Sequence, residues 1–358
     1  MAQIAEMAAP HLNTPTGELE VTRLTGDAST RAYFRVSSGS SSLIAALYRE
    51  PFDDTESASS RLARFEALDP SARLTFASDP CAHVEVTELL LGAGLPAPRI
   101  LGVSGRQGAL LFEDAGDIRL QDWLEGRTPD EALEAYRRAI QMIVRIQEAT
   151  PGLGGESICL CLAFDDMKLK WELGFFFANY FNRYLGVKLE AETNQAVQKE
   201  FKALCSELSA RPRVLVHRDY HARNLMMQRG ALFIIDHQDA RMGPASYDLA
   251  SLLRDPYTAL DRDLAGELVE YFISLKGESS VTISDVAEFR TEVELMTVQR
   301  MLKAIGTYAS QAVAGNPAYI NYIDPAINAA LYSLEALGRF GRIRGLLEET
   351  RRPNSPTV

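Results

Sequence analysis

Apolar and polar positions alternate with a period of two over Leu19–Leu24, Ala32–Ser37 and Ser42–Tyr48, which predicts three short strands, the last two joined at a Ser-Gly-Ser turn. Further strands are expected at Arg99–Leu101 and Ala109–Phe112. Helical spacing predicts a short N-terminal helix ended by Pro10, then helices at Glu56–Leu68 and Cys81–Leu91, the latter stopped by Gly92–Pro98. Beyond Gly116 the pattern is mostly helical: Leu120–Glu125, Pro129–Thr150, one aromatic helix over Phe164–Leu185, and an amphipathic stretch over 192–210. After Asp248 come Leu249–Arg254, Leu260–Leu275, Ile283–Ser310 and Ala326–Glu348. Strands first and helices after give an α+β fold in two parts: residues 1–116, residues 117–350, and a polar tail over 351–358 expected to be disordered.

One stretch interrupts the helical part. Val214–Val216 leads into His217-Arg218-Asp219-Tyr220-His221-Ala222-Arg223-Asn224, and a second apolar run, Leu232–Ile235, ends on Asp236. Gln228-Arg229-Gly230 fits the turn of a hairpin between them. Asn224 follows Asp219 by five residues, and Asp236 follows Asn224 by twelve. The first interval matches the spacing of a kinase catalytic loop, and the second leaves room for one short hairpin before an Asp at a strand end, where such kinases place a metal ligand. Phosphoryl transfer needs a carboxylate beside the acceptor hydroxyl and hard oxygen ligands for Mg²⁺ beside the phosphates. Asp219 fits the first requirement, Asn224 and Asp236 the second. Two other readings use the same residues. One is a pair of buried strands joined by a polar turn. The other is a zinc or iron site built from His217, Asp219, His221 and Asp236, which leaves Asn224 and Gly243–Asp248 without a role.

The His217–Asn224 segment, Ile235–Asp239 and Gly243–Leu249 resemble the aminoglycoside phosphotransferase-like kinases. The runs Gly26–Arg35, Ser251–Asp255 and Met301–Gly306 are similar to the bacterial amino-sugar anomeric kinases of cell-wall recycling. The resemblance covers about residues 20–345. It implies a two-lobed, protein-kinase-like fold with a nucleotide-binding lobe ending in a hinge near Glu113 and Asp114. It also implies ATP with Mg²⁺, and a turn placing the Ser29 and Thr30 hydroxyls near the phosphates. The strand lysine that protein kinases use is missing from Leu43–Tyr48; Arg31, Arg35 and Arg49 are the candidate substitutes, and Glu85 or Glu88 the candidate partner. His217 and Asp248 would brace the loop and His221 would lie close to the metals. Lys303 or Arg183 would meet a lactyl carboxylate on the acceptor, and Lys168, Lys170, Glu172, Asn179 and Arg183, the polar residues of the Phe164–Leu185 helix, would edge the acceptor cleft. The implied reaction is phosphorylation of the anomeric hydroxyl of N-acetylmuramate or N-acetylglucosamine, in peptidoglycan recycling. Transfer to another hydroxyl, on an aminoglycoside or choline-like molecule, and a non-catalytic binding protein of the same fold stay open beside it.

Composition narrows the partners. A formal net charge of −11 disfavours nucleic acid and anionic membrane surfaces. Cys81, Cys159, Cys161 and Cys205 show no metal-ligand spacing and are read as reduced thiols. Met1–Pro10 lacks a basic start and carries Glu6, so no signal peptide is expected, and the protein is expected to be cytoplasmic.

Overall fold

A computed structural model describes residues 1–24, 31–75, 80–155, 157–258 and 260–351. Ser29 and Thr30, with the rest of the turn at 25–30, lie outside the described residues, as do residues 352–358 of the tail. The chain divides into two compact units. The first comprises Met1–Leu120, Gly152–Cys161 and Asn224–Ala240. The second comprises Gln121–Pro151, Leu162–Arg223 and the chain from Arg241 on.

The first unit is built on an antiparallel sheet of β1 (Glu20–Arg23), β2 (Ala32–Ser38), β3 (Ser41–Leu47), β4 (Ile100–Ser104) and β5 (Ala109–Glu113), in the order β1-β2-β3-β5-β4. Alternation sorts its side chains to two faces. Phe34, Val36, Leu43, Ala45 and Leu111 pack with Ile4 and Ala8 of the Ala2–Leu12 helix. Ala46, Tyr48, Leu110 and Phe112 form the other cluster, joined by Val84 of the Pro80–Gly92 helix. The N-terminal helix runs through Pro10 instead of ending there. Pro10 sits in the last turn, where the missing donor costs one bond, and Asn13 closes the helix in the left-handed conformation by donating to the Ala9 carbonyl. The unit also holds a hairpin of β7 (Leu225–Gln228) and β8 (Ala231–Ile234), turned by Arg229 and Gly230, both at positive φ.

The second unit is mostly helical around one core, in which Phe164, Leu173, Phe176, Phe201, Val216, Tyr247, Met301 and Ile305 are buried. The Pro129–Glu148 helix starts in a capping box, Thr128 with Glu131. A short pair, β6 (Arg213–Val216) with β9 (Arg241–Pro244), carries the loop that follows Val216. Two expected helices are broken. Phe164–Leu185 becomes an α-helix, Asp166–Phe176, followed by a π-helical segment, Phe177–Leu185. The Asn179 amide donates to the Phe175 carbonyl at 2.9 Å, the oxygen its own backbone N–H would take in an α-helix. Ala326–Glu348 splits into Ile323–Leu337 and Gly341–Thr350 because Gly338 turns left-handed and its N–H closes the first helix. The Val286–Val313 helix crosses the α-to-π junction at Gly306, where a Cβ would lie 2.6 Å from Phe176 Cα. Only glycine allows that approach.

Candidate active site

Two buried carboxylates shape the loop between β6 and Arg223 in the second unit. Asp248, fully buried on the Tyr247–Leu253 helix, accepts the backbone N–H groups of His217 at 2.7 Å and Arg218 at 3.0 Å. Asp255 accepts the N–H of Ala222 at 2.8 Å and of Tyr257 at 2.9 Å. Burial raises both carboxyls, Asp255 to about 6, while the donated N–H groups pull the other way. Between these braces Arg218 takes φ 85°, a strained value for a residue with a side chain.

The loop delivers Asp219 into a set of cations. Lys303 Nζ lies 3.4 Å and an Arg300 Nη 3.7 Å from its Oδ1, and Arg218 Nε lies 3.8 Å from its Oδ2. Burial would raise the Asp219 carboxyl, but Lys303, Arg218 and Arg300 hold it well below the usual carboxylate range. Arg300 is itself fixed by Tyr247 Oη at 2.9 Å and Ser251 Oγ at 2.7 Å. Behind them Gln299 donates to Glu172 at 2.8 Å, and Lys168 lies 3.7 Å from the same carboxylate. Lys168 and Glu172, expected at the edge of the cleft, are both buried. Burial lowers the Lys168 ammonium to about 7 against the pull of Glu172. His221 is lowered by burial to about 3, with Asp219 opposing, so at neutral pH it is an uncharged ring, edge-on to Tyr257. Arg183 donates to Asn179 Oδ1 at 2.8 Å within the π-helical segment.

In the first unit, Asn224 and Asp236 meet through Nδ2 and Oδ2 at 3.5 Å. Asp236 follows β8 at φ 60°, another strained position. Its Oδ1 accepts from Arg31 at 3.2 Å and from Gln238 at 3.0 Å, and its side chain remains 39% exposed. Arg31 is 5% exposed, with Tyr33 and Tyr48 each 5.8 Å away. Burial would lower its pKa, but Tyr33, Tyr48 and Asp236 together raise it. A carboxylate and an amide oxygen are hard donors, and Mg²⁺ takes one or two carboxylates from protein and the rest from phosphate and water. These residues fit that ion. Among the described residues no three His, Cys, Asp or Glu side chains gather as a group that could hold a metal ion.

The remaining residues singled out in the sequence are engaged as follows. Asp114 accepts from Arg35 and from Ser42 Oγ, each at 2.7 Å, and from the Gly116 N–H at 2.8 Å. Glu113 pairs with Arg99, with Nε at 2.7 Å. Glu85 holds Arg61 at 3.1 Å and accepts from Ser157 and from the Ile158 N–H. Arg49 is exposed just after β3. Sequence reading gave no role to Arg300, which borders the Met301–Gly306 run, or to Asp255, the last residue of the Ser251–Asp255 run.

The model of the APH phosphotransferase enzyme family matches residues 20–281. An N-acetylmuramate/N-acetylglucosamine kinase of Pseudomonas aeruginosa is 28% identical over 317 residues, covering 86% of this chain and 84% of that protein. One of Pseudomonas putida is 30% identical over 258 residues, covering 72% and 73%. Among solved structures, a choline kinase from Cryptosporidium parvum aligns at a TM-score of 0.60 and 13% identity, over 97% of this chain and 99% of that one. The ADP-bound aminoglycoside phosphotransferase APH(2'')-Ib aligns at 0.51 and 11%, over 92% and 97%. At such identities these structures speak for the fold, which is protein-kinase-like.

Proposed function

Because this chain belongs to the APH phosphotransferase enzyme family, and is thus an ATP-dependent kinase with a hydroxyl acceptor, we propose that it phosphorylates the anomeric hydroxyl of N-acetylmuramate or N-acetylglucosamine, or of both, as a step in peptidoglycan recycling. The observation that carries this choice of acceptor is the cation set around Asp219. Choline and aminoglycosides are cations, and Lys303, Arg300 and Arg218 would repel them; a neutral or acidic sugar meets no such repulsion. The names of the relatives support the same reading.

In the proposed reaction the sugar C1 oxygen bonds to the γ-phosphorus as the bond to the β,γ-bridging oxygen breaks, giving sugar 1-phosphate and ADP. Asp219 orients the hydroxyl. Its cations make it a weak base, so it takes the proton late, once the new P–O bond has made the hydroxyl acidic, as a loose transition state allows. Asn224 and Asp236 would hold Mg²⁺, which when bound neutralises charge on the phosphates. Arg31, which already faces Asp236, supplies the cation missing from β3, and Ser29 and Thr30 add hydroxyl donors to the phosphates. Glu113 and Asp114 mark the strand end that meets adenine. Residues 1–116 would act as the nucleotide lobe and 117–350 as the acceptor lobe. The test is ADP release with the two amino sugars, choline and an aminoglycoside at equal concentration. Turnover confined to the sugars is expected; faster turnover of choline or the aminoglycoside would overturn the assignment.

A further inference from the structure

The strand lysine of protein kinases is itself held in place, by a glutamate on a neighbouring helix. In the reaction proposed above Arg31 takes the cation's part, so whatever holds Arg31 takes the glutamate's. The carboxylates that sequence reading offered do not. Glu85 is engaged with Arg61, Ser157 and the Ile158 N–H, and Glu88 is exposed. Arg31 instead donates to the Tyr48 hydroxyl, and Tyr48 Oη lies 2.9 Å from Nδ1 of His83, on the Pro80–Gly92 helix. Tyr48 and His83 are both buried.

Hydrogen-bond chemistry gives this chain one direction. A guanidinium only donates, so the Tyr48 oxygen accepts from Arg31 and its single proton goes to His83 Nδ1. Nδ1 is then the bare nitrogen of a neutral ring. Burial, with His237 and Arg31 close by, lowers His83 well below its usual value and keeps the ring neutral. The ring is packed in turn, 4.8 Å from that of Phe112 and 5.2 Å from that of His237. One helical turn on, Thr87 serves the other side of the pair. Its hydroxyl proton goes to the His83 carbonyl at 2.7 Å, so it accepts from His237 Nε2, also at 2.7 Å. His237 directly follows Asp236. His83 and Thr87, four residues apart on one helix face, thus tie down both halves of the Arg31–Asp236 contact. Asp236 stands at φ 60°, a position that persists only where its surroundings fix it.

We propose that Tyr48 and His83 are positioning residues: they fix Arg31 against Asp236 and, through that contact, set metal-dependent nucleotide binding. This gives His83 the task that sequence reading gave to Glu85 or Glu88. It rests on the roles of Asp236 and Arg31 proposed above and is independent of the acceptor. The experiment titrates ATP with and without Mg²⁺, and adenosine, by calorimetry. The proteins are the wild type, Tyr48→Phe, His83→Leu, His83→Gln and Asp236→Ala. Tyr48→Phe and His83→Leu should each lower the Mg²⁺-dependent ATP affinity about tenfold, the size of one hydrogen bond to a charged group, and leave adenosine affinity unchanged. His83→Gln keeps an acceptor for the Tyr48 proton and should lose less. An unchanged Mg²⁺ effect in Tyr48→Phe, or equal losses for ATP and adenosine, would overturn the role. If His83→Leu does not fold, Tyr48→Phe decides, since it removes one oxygen and keeps the ring. A full Mg²⁺ effect in Asp236→Ala would overturn the metal assignment and this inference with it. A lost effect there beside a full one in Tyr48→Phe would overturn this inference alone.

Discussion

Asp219→Asn is expected to cut kcat by about 10²–10⁴-fold, the range for a positioned proton acceptor, with ATP binding kept. Asparagine preserves the shape of the side chain and removes the charge that Lys303, Arg300 and Arg218 surround. Those cations also fix the pH behaviour. Asp219 is held ionised well below the usual carboxylate range, so acidifying the assay mildly should not protonate it, and any acid limb in kcat must come from another group. Steady-state kinetics with calorimetric ATP titration checks both points. Turnover near the wild-type value in Asp219→Asn would remove it from the reaction.

The second large effect is expected at Asp236. Asp236→Ala should abolish the Mg²⁺-dependent gain in ATP affinity, and Asn224→Ala should weaken it less, because a carboxylate holds Mg²⁺ better than an amide oxygen does. Removing Asp236 also frees Arg31 from its 3.2 Å contact, so the metal-independent part of ATP binding should persist or rise. Titrating ATP with and without Mg²⁺ separates the two contributions. If both variants keep the full Mg²⁺ effect, Asn224 and Asp236 are not the ligands.

Much of this architecture is legible in local patterns. Alternation placed β1, β2 and β3 to within a residue or two, because β2 and β3 send successive residues to two opposite clusters and β1 adds Val21 to one of them. Gln228-Arg229-Gly230 announced its hairpin through the need for positive φ. Local patterns fail where tertiary contacts decide. The π-helical segment keeps helical spacing, and its widening depends on Asn179 capturing the Phe175 carbonyl. β9 begins with a buried arginine, Arg241, and reads as a strand only once β6 lies beside it. The Ile323–Leu337 helix ends at Gly338, which spacing alone passes through.

The same division holds for the site. Asp219 and Asn224 stand out by their five-residue interval, and Asp236 by closing an apolar run. The cations around Asp219 do not, because Arg300 and Lys303 arrive from a helix some eighty residues further along the chain. Arg31 meets Asp236 across 205 residues. Spacing says nothing about such partners; they follow from packing.

Position of attack is the central claim, and phosphorus NMR with ADP release tests it most directly. N-acetylglucosamine and N-acetylmuramate are compared with their methyl glycosides, in which the C1 oxygen has no proton to lose. Attack by C1 predicts a sugar 1-phosphate from each accepted free sugar and no phosphate transfer to either glycoside. A methyl glycoside phosphorylated as readily as its free sugar would contradict it and assign the enzyme to another hydroxyl.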